Sequence, residues 1–219
     1  MTTSAFRYRP RSKHSILLRL LDYEIDGDVL SSILDPIGAG IQRAIDRVDA
    51  GSDDDYPPDD ELALIEGLLG VAYVACEVKI LAIATAALRF RAISDRQNME
   101  GELRALGKKQ SGTEFSQVEV LWQLANFYKH RDEWPVDAWG PAARRAGLAS
   151  KNKGENNEWR RRERTITVLS SFAPMASAPS LRLAAEALGN PTYANVQAFG
   201  DIIADWAEAV RASVGTMSE

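Results

Sequence analysis

One six-residue run in this chain gathers an asparagine, a lysine, a histidine and an arginine: Asn126, Lys129, His130 and Arg131, inside LWQLANFYKHRDEWP (Leu121–Pro135). Asn126 and His130 are i, i+4 neighbours if the stretch is helical, so their side chains project from one face. At that spacing an amide can hold a phosphate or ribose oxygen while an imidazole moves a proton near neutral pH. The spacing predicts His130 as general acid/base, Asn126 as the orienting group, and Lys129 and Arg131 as cations that offset phosphate charge. A plainer reading fits the same letters. Glu119, Gln123, Asn126, His130 and Glu133 project within roughly 60–80° of one another. Val118, Leu121, Ala125 and Tyr128 point to the other side, with Trp122 at the border. On that reading the polar stripe is a solvated helix face, and a cationic His130 interacts favourably with the helix C-terminal dipole, with Glu133 in reach.

A second group of cations lies downstream. From Ala142 to Arg164 there are eight Lys/Arg against three Glu, ending in WRRRER. Arg160, Arg161 and Arg162 beside Trp159 can neutralise and stack on RNA; the same run also reads as a soluble loop. The net charge of −5 argues against general coating of nucleic acid. No glycine-rich phosphate loop or G-x-S-x-G elbow is present, and DDDYPPDDE lacks the spacing of a calcium-binding loop. With one cysteine, Cys76, and two histidines, His14 and His130, neither an internal disulfide nor a Cys/His zinc site is expected. No cofactor and no metal are predicted.

The elements that must position these groups read as helices. The chain has 219 residues, 45% hydrophobic and 26% charged, ample for a sizeable core. DVLSSILD predicts a short amphipathic piece ended at Asp35–Pro36, where Asp35 caps a second helix with Pro36 at its first position. Gly51 ends that helix, and GSDDDYPPDD is a loop whose acids suit the dipole of the helix that follows. From about Asp60 to Ser94 runs a long helix, apolar almost all round, predicted to be the most buried element. Glu66, Glu77 and Lys79 interrupt it, which predicts a core helix rather than a membrane span. The N-terminus lacks a signal-peptide pattern, so a cytoplasmic protein is expected. Glu66, Tyr73 and Glu77 form a narrow polar stripe that predicts salt bridges to another helix.

SDRQNMEGELRALGKKQSG reads as a loop with one helical turn. TEFSQVEVLWQLANFYKHRDEW is a helix with capping-box spacing at Ser116 and Glu119 and an end enforced by Pro135. ASKNKGENNEWRRRER predicts an exposed basic loop spanning about 142–164. TITVLSSF alternates like a short strand, with a helical turn as the other option. SLRLAAEALG is a short helix closed by Gly189, and Asn190–Pro191 opens a final helix with Val196, Phe199, Ile202, Ile203, Trp206 and Val210 inward. The fold class expected is all-α: a single-domain helical bundle, residues 1–219, around a long central apolar helix.

ANFYKH resembles the R-N-x-x-x-H signature of the HEPN superfamily, all-helical proteins, often dimeric, many of them ribonucleases of toxin–antitoxin and phage-defence systems. Asn126 and His130 match; the signature's arginine falls at Ala125. The resemblance implies metal-independent action on the RNA backbone across a homodimer interface, with Lys129, Arg131 or an arginine from elsewhere in the chain standing in for the signature's arginine. The excess of apolar helix surface also predicts a homodimer. Two functions therefore compete. One is a HEPN-like protein that binds or cleaves RNA. The other is a non-catalytic, antitoxin- or immunity-like helical protein whose acidic SDDDYPPDDE segment suits a basic protein partner.

Overall fold

A computed structural model describes residues 13–26, 28–50, 58–91, 101–131, 153–171 and 181–215. Seven helices make up most of them: α1 (Lys13–Asp26), α2 (Val29–Asp49), α3 (Pro58–Arg91), α4 (Gln117–His130), α5 (Lys153–Ser170), α6 (Leu181–Ala187) and α7 (Gln197–Gly215). The fold is all-α: the described residues contain no strand, only an isolated antiparallel bridge between Lys109 and Ser116.

α3 is the axis, and α1, α2, α4, α6 and α7 all pack on it. Its inner side buries Ile65, Leu69, Ala72, Tyr73, Cys76, Ile80, Ile83 and Ala87. By length and composition alone α3 could cross a membrane, but half of its apolar window is buried by the rest of the chain. The polar stripe on α3 is spent as predicted. Glu66 accepts from the backbone N–H of Leu181 at 3.0 Å and pairs with Arg182 at 3.1 Å, so it anchors the start of α6. Tyr73, fully buried, donates its hydroxyl to the Leu181 carbonyl at 3.0 Å, and its ring lies 5.1 Å from that of Phe199. Burial, with the nearby Cys76 and Glu66, pushes the Tyr73 phenol well above its ordinary range.

Three local expectations are corrected. First, α2 does not break at Asp35–Pro36; Pro36 sits inside one continuous helix that starts after Asp28. An interior proline costs about 3 kcal/mol, but the buried face Leu30, Leu34, Ile37, Ile41 and Ala44 runs straight through it. Splitting the helix would expose that face, so burial wins. Second, residues 153–164 of the expected basic loop are helical, as is TITVLS. Thr165, Val168 and Leu169 are buried, which gives a mostly polar helix one anchored edge. Third, Asn190–Pro191 does not open the last helix. Asn190 is fully buried, donates to the Tyr193 carbonyl (2.8 Å) and accepts from the Asn195 N–H (3.1 Å), which folds a turn before α7 begins at Gln197.

The predicted inward residues of α7 are all buried. Its Trp206 indole donates to the Leu103 carbonyl at 2.8 Å, and Gly107, at φ +82, lies against the Trp206 backbone. This ties the 101–116 segment to the core immediately before α4.

Candidate functional site

The site predicted from sequence lies on α4, and the capping of that helix sets its register. Ser116 is the N-cap, and its hydroxyl accepts from the Glu119 N–H at 3.0 Å. The same hydroxyl donates to the Arg104 carbonyl. The expected reciprocal half of a capping box is not made, because the Glu119 carboxylate is engaged elsewhere.

Glu119 is the hub of a buried polar network. Oε2 accepts from Arg104 Nε at 2.9 Å; Oε1 accepts from Arg164 Nε at 3.0 Å and from Gln123 Nε2 at 3.0 Å. Gln123 in turn accepts from the Thr165 hydroxyl at 2.7 Å. The Arg104 guanidinium stacks 4.5 Å from the Trp122 ring centroid and that of Arg164 lies 4.9 Å from Phe115. Burial pushes the Glu119 carboxyl up. The charge of Arg104, hydrogen bonds from Gln123 and Arg104, and the charge of Arg164 outweigh it and hold the group below its ordinary range. Glu119 is therefore a fixed anion near neutral pH, unsuited to proton transfer there. A polar cleft of about 200 Å³ opens beside it, with Lys109, Glu114 and Arg164 on its walls.

The solvated-face reading thus fails for the first half of the α4 stripe: Glu119 and Gln123 are buried and join α4 to α5 and to the 101–107 turn. Further along, Asn126 and His130 are both half-buried, one helical turn apart. Lys129 donates to Glu77 of α3 at 2.6 Å. Arg131 stacks 4.7 Å from the Tyr128 ring. That ring rests on Gly70 of α3, where a Cβ would come within 2.0 Å of it. Ala125 is fully buried. Glu133 and Pro135 lie outside the described residues.

Of the downstream cations, Arg160 and Arg161 are exposed on α5, and Arg162 lies 5.3 Å from the Trp159 ring. Consecutive positions turn by about 100° each on a helix, so the three arginines fan out around α5 instead of forming one face. α4 and α5 do pack together, joined by Glu119–Arg164 and Gln123–Thr165. Among the described residues no group of three or more His, Cys, Asp or Glu converges as a metal-binding set.

A different surface went unlocalised in the sequence. The side of α3 turned away from the core carries Leu64, Val71, Val78 and Leu81, exposed by 42, 46, 62 and 43%. Leu64, Val71, Val78 and Thr85 recur every seven residues, and Gly67, Leu68, Val74, Ala75 and Ala82 fill the interval with no charge among them. A heptad repeat was the signal available for it. Beside its second half, α1 contributes Leu20, and a groove of about 360 Å³ runs between Leu20 and Glu24 on one side and Val78, Leu81, Ala82, Thr85 and Arg89 on the other.

Comparison with protein-family models, with curated proteins and with solved structures gives no match.

Proposed function

We propose that this chain is a non-catalytic helical interaction protein whose working surface is the outward side of α3. The observation that carries this reading is the row of exposed apolar side chains Leu64, Val71, Val78 and Leu81 on the helix that also forms the core. Contiguous exposed apolar surface of this kind marks sites of association. Two positions of the competing HEPN-like reading are committed to structure: Lys129 is held by Glu77, and Ala125, where the signature has arginine, is fully buried.

What favours the RNA-cleaving reading is that Asn126 and His130 keep their one-turn spacing at a partly accessible helix end. A metal-free cleavage assay on total RNA, comparing wild type with His130→Ala at low and moderate salt, separates the two. The expected result is no cleavage by either protein. Cleavage by wild type that disappears in His130→Ala overturns the interaction reading.

A further inference from the structure

We infer that the occupant of the α3 face is a second copy of the same chain, laid antiparallel across it. This rests on the reading of α3 as the working surface. Charge distribution along the helix decides the partner and the direction. α3 begins with exposed Asp59 and Asp60 and ends near exposed Arg89, with only uncharged residues along the stripe between. A parallel pair sets acid against acid and base against base, with aligned dipoles; an antiparallel pair sets each acidic start on the partner's basic end.

The register that brings Asp60 to Arg89 of the other copy then fixes every further pairing. Val71 falls opposite Val78, Leu64 opposite Thr85 and Gly67 opposite Ala82, with Val74 and Ala75 at the centre. Each stripe residue meets another stripe residue, the self-complementarity that a two-fold interface requires. A Cβ at Gly67 would meet nothing within 4 Å in the single chain, leaving room there for an approaching helix. The groove beside Leu20 is lined by Ala82 and Thr85 as well as Val78, so in this register it receives the partner's Leu64. Leu20, Leu64, Val71, Val78 and Leu81 together expose on the order of 400 Å² per protomer, about half of the roughly 800 Å² per partner of a standard interface.

Sedimentation velocity at about 1 to 50 µM tests this. Wild type should run as two chains of 24.1 kDa. Val78→Glu, which places a carboxylate against Val71 twice per dimer, should weaken pairing on the order of 100-fold and keep its helical circular dichroism. Asp60→Arg should weaken it too, and adding Arg89→Asp in the same chain should restore it; failure to restore overturns the register. With a short bismaleimide, Val74→Cys, near the two-fold, should cross-link to itself, whereas Leu64→Cys should not. Native Cys76 is buried and adds no reactive thiol. Self-linking of Leu64→Cys overturns the antiparallel arrangement.

A monomeric wild type overturns self-pairing outright. Flotation of that monomer with phosphatidylcholine vesicles then separates the two proposals. Binding lost in Val78→Glu leaves the interaction reading standing with a bilayer as occupant. Absence of binding removes support for both.

Discussion

Replacing Glu119 by glutamine keeps the shape of the side chain and removes its charge, so it isolates the electrostatics of the network. Two arginines lose their carboxylate. Arg164 is 54% exposed and can turn to water, so its loss is worth no more than about 1 kcal/mol. Arg104 is only 16% exposed, and a hydrogen bond to a charged group contributes about 1.5–3 kcal/mol. The new amide also turns N–H donors toward donors. The expected loss is about 3 kcal/mol, which for a domain of this size lowers the melting temperature by roughly 6–12 °C. The pH dependence supplies an independent check. The folded-state pKa of Glu119 is depressed, so between it and about pH 4.5 the unfolded chain binds more protons and stability rises with pH. The contribution is complete above about pH 4.5 and is lost as pH falls through the folded value. Thermal melts of wild type and Glu119→Gln from pH 7 to pH 3 should therefore converge in acid. A shift below about 2 °C at pH 7, or parallel curves down to pH 3, would refute the assignment of Glu119 as a structural anion.

Two further outcomes follow from the α3–α4 contact. Lys129→Met leaves Glu77 largely buried without this cation and should cost about 1–3 kcal/mol in chemical denaturation; a neutral effect would return Lys129 to the pool of cations available for a ligand. Gly70→Ala gains roughly 1 kcal/mol of helix propensity but drives a methyl into the Tyr128 ring, so a net loss of about 1–2 kcal/mol is expected by urea unfolding.

The helices were legible wherever local pattern and burial agree. Ser116 as N-cap, the long α3, and the inward face of α7 all follow from spacing alone. Pro36 was misread because a proline's local penalty is visible in sequence, whereas the buried face that offsets it belongs to the tertiary structure. α5 was misread because WRRRER has the composition of a loop and its few inward residues, Thr165, Val168 and Leu169, come after the charge run. Periodicity correctly sorted Glu119 and Gln123 onto one side of α4. It carried no information on what covers that side, since Arg104 and Arg164 arrive from segments 15 and 45 residues away.

α3 shows the same limit in reverse. A helix that is apolar all round is expected to be covered all round, yet the neighbours of α3 close only part of its circumference. The uncovered side also differs from scattered surface leucines, which are ordinary, because Leu64, Val71 and Val78 repeat by sevens along one helix. The charges point the same way. Glu66, Glu77 and Glu119, the acids that a catalytic or solvated face would present outward, are spent on Arg182, Lys129 and Arg104 between helices. Polar groups have been drawn inward to fix how the helices meet, while Leu64, Val71, Val78 and Leu81 of α3 stay exposed, the side that the proposed pairing would cover.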